Sequence, residues 1–159
     1  MRYLSNLINN KLDVQPTDSY CGILGESPSK GARSPVLWNA CFDALNISSF
    51  FYPFDVLDDG LEKLITHLKD DKRFQGGAVA VPHKEAIIPF LDCVEEEAKL
   101  ISAVNLIYRK DGLLYGSNTD GLGAVASVAE YLGSNVDTFA KDKKITLMGT
   151  GGAAKACAV

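Results

Sequence analysis

From Tyr20 onward the sequence repeats one pattern: a short run of apolar residues, then a longer segment whose apolar positions recur at helical spacing. That alternation marks β-α units feeding a mostly parallel sheet, and it sets the class as α/β. Tyr20-Cys21-Gly22-Ile23-Leu24-Gly25 reads as a first buried strand. A polar loop leads to Ser34-Pro35, a helix N-cap with proline at the first helical position, and Val36, Leu37, Ala40, Cys41 and Ala44 form the expected apolar face. Phe50 to Val56 suggests a second strand whose Pro53 needs an edge or an end, and Asp58-Asp59 opens a helix carrying Leu61, Leu64, Ile65 and Leu68.

Gly76 to Val81 is expected as a third strand ended by Pro82, followed by short helical segments near Lys84 to Ile88 and Val94 to Ile101. Two runs, Ala103 to Tyr108 and Leu113 to Gly116, flank Arg109-Lys110-Asp111-Gly112, and Asp-Gly is a hairpin-turn signal. The sheet is therefore expected to be mixed, in a three-layer α/β/α domain. A helix follows from about Thr119 to Leu132. A polar loop from Gly133 to Asp142 is the expected boundary, and Lys144 to Met148 should be a strand that begins something new. This divides the chain into a first domain over 1–141 and the start of a second over 142–159.

With 159 residues, 47% of them hydrophobic, the chain can bury one full core. Its formal net charge of -4 argues against a nucleic-acid surface, which needs a basic face for phosphates. A small-molecule partner is expected instead. No window is long and apolar enough to span a membrane, and Met1 to Asn10 lacks the apolar core of a signal peptide, so a cytoplasmic location is expected. Cys21, Cys41, Cys93 and Cys157 are widely spaced, and only His67 and His83 could join them. No metal site is expected, and the cysteines read as small buried apolar residues in a reducing compartment.

Three clusters carry chemistry. Gly149-Thr150-Gly151-Gly152-Ala153-Ala154 fits the dinucleotide fingerprint, in which glycines permit a tight turn and let backbone approach a pyrophosphate. A plain strand-to-helix turn is the alternative. Val81-Pro82-His83-Lys84-Glu85 ends the third strand, where open sheets place ligands, and Lys84 could hydrogen-bond a substrate hydroxyl and move its proton. Ser117-Asn118-Thr119-Asp120-Gly121 offers an amide and a carboxylate to a polyhydroxylated ligand. Taken singly, Lys84 also reads as a solvated loop lysine, and Asn118 or Asp120 as a helix cap.

Their order along the chain resembles one family. A glycine-to-proline turn near residue 25 is followed by S-P-x-x-x-N at Ser34 to Asn39 and V-x-V-P-x-K-E at Val79 to Glu85. Then come A-V-N at Ala103 to Asn105, N-T-D-G at Asn118 to Gly121 and G-x-G-G-A at Gly149 to Ala153. Together these resemble the N-terminal half of the shikimate dehydrogenase family. The resemblance implies reversible reduction of 3-dehydroshikimate to shikimate by NADPH, with NAD not excluded, on the route to aromatic amino acids. It implies Lys84 and Asp120 as the acid-base pair, with Ser34, Asn105 and Asn118 toward the substrate. Gly149, Gly151, Gly152 and Ala153 would lie against the cofactor. A monomer or homodimer is implied, and these 159 residues alone are expected to be inactive.

Two positions depart from the family's usual pattern. Its S-x-S-P carboxylate motif stands here as Ala32-Arg33-Ser34-Pro35, and its N-V-T-x-P-x-K as Ala78-Val79-Ala80-Val81-Pro82-His83-Lys84. Two hydroxyls are missing, and at about 1 to 2 kcal/mol for each lost hydrogen bond the usual ligand would bind one to three decades more weakly. Arg33 or Lys30 in the same loop could compensate as a carboxylate partner. The alternatives are a divergent paralogue acting on quinate or another hydroxylated ring acid, and a non-catalytic binding module that keeps the pocket. An unrelated α/β domain with a dinucleotide-like turn is the blandest reading.

Overall fold

The computed structural model of the chain describes residues 4–159; Met1, Arg2 and Tyr3, part of the stretch read for a signal segment, lie outside the described residues. The elements run β1 (Ser19–Gly25), α1 (Ser34–Ala44), β2 (Ser49–Asp55), α2 (Asp58–Asp70), β3 (Phe74–Val79), α3 (His83–Ala86), β4 (Cys93–Val94), α4 (Glu96–Ile101), β5 (Leu106–Lys110), β6 (Leu113–Ser117), α5 (Asp120–Tyr131) and α6 (Gly152–Ala158). Six strands form one sheet in the order β2-β1-β3-β5-β6-β4. β1 runs parallel to β2 and β3, β4 runs parallel to β6, and β5 runs antiparallel to both β3 and β6. The carboxyl ends of β1, β2, β3 and β6 therefore share one edge with the start of β5.

Pro53, paired with Ile23, sits in edge strand β2, where a missing N–H costs no ladder bond. The hairpin of β5 and β6 closes through Asp111 and Gly112, both at positive φ (52° and 83°) as a tight primed turn requires. Gly77 is needed where β3 crosses beside β1. Its φ is +156°, and a Cβ there would lie 1.7 Å from the Gly22 carbonyl oxygen.

The sheet separates two apolar layers of unequal size. On one face Tyr20, Leu24, Tyr52, Phe54 and Phe74 meet Leu61, Leu64, Ile65 and Leu68, the i, i+3, i+4, i+7 stripe of α2. Each of those α2 side chains is at most 1% exposed, a burial that stabilises by about 2 kcal/mol apiece. Ile87, Ala98, Val104, Ile107 and Leu114 extend this layer under α3 and α4. The opposite layer is thin: Ile23, Phe42 and Phe51, flanked by Cys21, Ala32, Ala78 and Ala80.

Several expectations are corrected. The face of α1 turned to the sheet is not Val36, Leu37, Ala40, Cys41 and Ala44, all of which are exposed. Asn39 clasps the backbone of Phe51 from both sides (Nδ2 to O 3.1 Å, Oδ1 from N 2.7 Å), which rotates Phe42 inward and lays Trp38 on the Phe51 ring. Ser34 does not cap α1 through its side chain; Arg33 occupies the flanking position and Ser34 is the first helical residue. The four cysteines are free, but none is fully buried, and Cys41 is exposed. Lys144 to Met148 is not a strand: no described strand lies beside it to complete its hydrogen bonds, and all five residues are exposed. Strand β4 was not expected, and α4 starts at Glu96, two residues after the anticipated Val94.

Among the described residues no helix is long and apolar enough to cross a membrane, and no cluster of His, Cys, Asp and Glu could hold a metal ion.

Candidate active site

Lys84, Asn105 and Asp120 arrive at the shared strand edge from three separate segments. Lys84 lies in the single turn of α3, just after β3, and its carbonyl accepts a hydrogen bond from Val104 N–H at 2.8 Å. Asn105 ties the neighbouring strand ends together: Val79 N–H donates to its carbonyl at 2.8 Å, and its own N–H donates to Ser117 O at 3.1 Å. Asp120 begins α5, where a carboxylate is favoured by the helix dipole.

The side chains then connect. Lys84 Nζ donates to Asp120 Oδ2 at 2.6 Å, and Asn105 Nδ2 donates to Asp120 Oδ1 at 2.6 Å. Asn105 Oδ1 accepts from Thr119 N–H at 2.9 Å, so neither amide nor carboxylate can swing freely. The Lys84 and Asp120 side chains remain 33% and 39% exposed, open to a ligand. An ammonium has three N–H donors, and Asp120 uses one of them. The others can meet a substrate oxygen while the carboxylate balances their charge.

Asn118 behaves differently from its expected part in ligand contact. It is 5% exposed, with Nδ2 donating to Ala103 O at 2.9 Å and Oδ1 accepting from Asp120 N–H at 2.9 Å. Each end of the amide thus bonds the turn that presents Asp120, while Thr119 occupies the flanking position of α5. Thr119, which sequence reading did not single out, joins the network through its backbone N–H and its hydroxyl, 3.1 Å from Asn105 Nδ2. Its place between two named residues was the only available signal.

A cleft of about 330 Å³ opens at the same edge, between the loop leaving β1 and the segment after β3. Gly25, Glu26, Ser27, Ala32, Ala80 and Val81 line it. Both alanines that stand at the usual hydroxyl positions thus face one space. Ser34 is half-buried at the start of α1, and Arg33 is exposed; its carbonyl accepts from Leu37 N–H at 3.1 Å, while its guanidinium has no hydrogen-bond or ion-pair partner among the described residues.

The glycine-rich turn leaves beside this constellation. Gly149 has φ +124°, which favours glycine, and a Cβ built on Gly151 would meet nothing within 4 Å, so backbone there is open to close approach. A Cβ on Gly152 would come 4.0 Å from Ala103 Cβ, and Ala156 packs with Ile101 and Ala103. Gly121 permits the contact from the other side, because a Cβ there would lie 1.9 Å from Ala156 O. Ala153 is exposed on the first turn of α6. These residues fit the opening of a pyrophosphate site.

A mixed open-sheet domain that gathers a lysine, a carboxylate and an amide at its strand ends belongs to the class whose ligands bind at that edge. Sequence comparison names the family: the profile of the shikimate dehydrogenase substrate binding domain matches residues 24–107, and the chain belongs to that family. The NADP(+)-dependent shikimate dehydrogenase of Methanosphaera stadtmanae is 40% identical over 135 residues, covering 85% of this chain and 45% of that protein. A shikimate dehydrogenase crystallised with NADP+ superimposes with TM-score 0.77 at 36% identity, over 88% of this chain and 46% of the other. The shikimate 5-dehydrogenase of Listeria monocytogenes, crystallised with shikimate and NAD, gives TM-score 0.77 at 28% identity, over 93% and 49%. The chain spans about half the length of the curated relatives it matches.

Proposed function

We propose that this chain is the substrate-binding part of an NADP-dependent shikimate dehydrogenase-type oxidoreductase that interconverts 3-dehydroshikimate and shikimate. The observation that carries the reading is the contact of Lys84 Nζ with Asp120 Oδ2 at 2.6 Å, with Asp120 held in turn by Asn105. Lys84 exchanges a proton with the C3 oxygen of the substrate, a general acid-base role, and Asp120 orients the ammonium and balances its charge. Asn105 holds a ring hydroxyl, and Ser34 and Arg33 face the substrate carboxylate. Gly149, Gly151, Gly152 and Ala153 would hold the cofactor's pyrophosphate. NADP(H) supplies the hydride chemistry when bound. Residues 1–141 form the substrate-binding domain, and 142–159 begin the nucleotide-binding one.

The relatives' names support the NADP assignment, and the Listeria structure's ligands support a ring-acid substrate. We place the protein in the cytoplasm, as a monomer or homodimer with a small-molecule partner. One observation favours a second reading, a divergent paralogue preferring quinate or another hydroxylated ring acid: Ala32 and Ala80 both line the cleft where hydroxyls are usual.

The test has two parts. Calorimetry of these 159 residues with shikimate and with quinate measures binding. A polypeptide continuing past Val159 through a complete nucleotide-binding domain is assayed for NADP+-dependent oxidation of both. Absence of turnover with any hydroxylated ring acid refutes the dehydrogenase reading, and faster turnover of quinate favours the paralogue.

A further inference from the structure

The turn from β2 into α2, Asp55 to Asp58, contributes nothing to the proposed chemistry, yet both loops beside the cleft are bonded to it. Toward the loop leaving β1, Asp55 accepts Ser29 N–H at 2.8 Å and the Ser29 hydroxyl at 2.5 Å. Val56 N–H donates to Gly25 O at 2.9 Å. Toward the turn after β3, His83 Nε2 lies 2.7 Å from Val56 O and donates to it, since a carbonyl can only accept. His83 Nδ1 lies 3.3 Å from Asp58 Oδ1. From behind, Asn10 pins the turn, accepting Asp55 N–H at 2.8 Å and donating to Pro53 O at 3.0 Å.

Asp55 is 6% exposed and His83 fully buried. Burying a carboxylate is unfavourable unless donors replace its water, and Asp55 has no cation within salt-bridge reach among the described residues. Apolar residues would fill both places at lower cost. What they could not do is hold two loops by directional bonds to one rigid strand end.

We infer that the Asp55–Asp58 turn is a brace that sets the spacing between the two sides of the substrate cleft, with Asp55 and His83 as positioning residues. Asp55 fixes the loop that carries Ala32, Arg33 and Ser34. His83 anchors its chain neighbour Lys84. The inference rests on the proposed function for the identity of the acting lysine, and it divides the labour: Asp55 governs how tightly substrate is held, His83 how well the lysine is aimed.

The test reads the two sides separately. In these 159 residues, amide exchange followed by NMR should accelerate about tenfold over residues 26–33 in Asp55→Asn and stay unchanged over 83–86; His83→Leu should do the reverse, and His83→Gln, which keeps a donor for Val56 O, should restore protection. In the polypeptide with a complete nucleotide-binding domain, Asp55→Asn should raise KM for shikimate about tenfold with kcat within about twofold, and His83→Leu should lower kcat about tenfold with KM within about twofold. Exchange that changes in both loops together, or in neither, overturns the brace, as do KM and kcat moving in step for both variants. Should the unsubstituted polypeptide show no turnover, the proposed function falls while the exchange pattern still decides the brace. If circular dichroism shows Asp55→Asn unfolded, Ser29→Ala removes the hydroxyl partner from the exposed loop side and carries the same prediction for 26–33.

Discussion

Lys84 and Asp120, 36 residues apart in sequence, meet at 2.6 Å because β5 runs backward between the strands that deliver them. β3 and β6 then end at one edge, and their following turns face each other over the start of β5. In the polypeptide with a complete nucleotide-binding domain, Lys84→Ala should lower turnover of shikimate by about 10² to 10⁴, the range of general acid-base catalysis, and Asp120→Asn should lower it by a similar order. Calorimetric affinity of the 159 residues for shikimate should change far less than turnover in Lys84→Ala. Turnover within about threefold of the parent removes the lysine from the mechanism.

Ala32 and Ala80 make a second expectation concrete, since both line the cleft. Ala32→Ser with Ala80→Thr should tighten shikimate binding by about tenfold for each hydroxyl that finds the ligand. Calorimetry on the chain measures it. If the double variant binds shikimate no more tightly, the missing hydroxyls are not what sets affinity here.

Acid stability should depend on Asp71. Arg73 bonds its carboxylate through Nη2 at 2.6 Å and Nε at 2.9 Å, and this holds its pKa at about 2, below the ordinary 3.8. A carboxyl depressed in the folded state stabilises fully above its unfolded pKa, and that contribution fades as pH falls from about 3.8 to about 2. Asp71→Asn should therefore unfold more easily than the parent near neutral pH, with the gap closing toward pH 2. Urea denaturation at a series of pH values follows the gap, and a constant difference across the range contradicts the assignment.

Gly121 should tolerate no side chain. A Cβ there would fall 1.9 Å from Ala156 O, so Gly121→Ala must push α6 away from α5 or strain both, at a cost of about 1 to 3 kcal/mol. Amide exchange over residues 152–158 should rise while α2 stays protected. Unchanged protection in α6 would show that the two helices do not pack through this position.

Much of the fold could be read from local pattern. Leu61, Leu64, Ile65 and Leu68 announce α2 because no other periodicity competes, and Asp111-Gly112 announces the hairpin because few residues accept positive φ. The face of α1 could not be read, since Val36, Leu37, Ala40 and Cys41 compete with Trp38 and Phe42. Asn39 decides between them by bonding Phe51, a contact 12 residues away in sequence. Lys144 to Met148 has strand composition, but a ladder also needs a neighbour, and composition cannot supply one. Periodicity alone leaves Lys84 a loop lysine; the ordered motifs singled it out with Asp120 and Asn105, and the structure brings the three side chains together. The bonds of Asp55 and His83 leave no trace in sequence, because each depends on where a separate loop comes to rest.

The reversal of β5 also gives the molecule two unlike ends. The Asp111-Gly112 turn lies a full strand away from Asn105, about 16 Å at the usual rise, and a side chain at Gly112 would meet nothing within 4 Å. Both turn residues need positive φ, so a fluorophore or surface tether belongs on the exposed Lys110 beside them, at the end of β5 opposite Lys84 and Asp120.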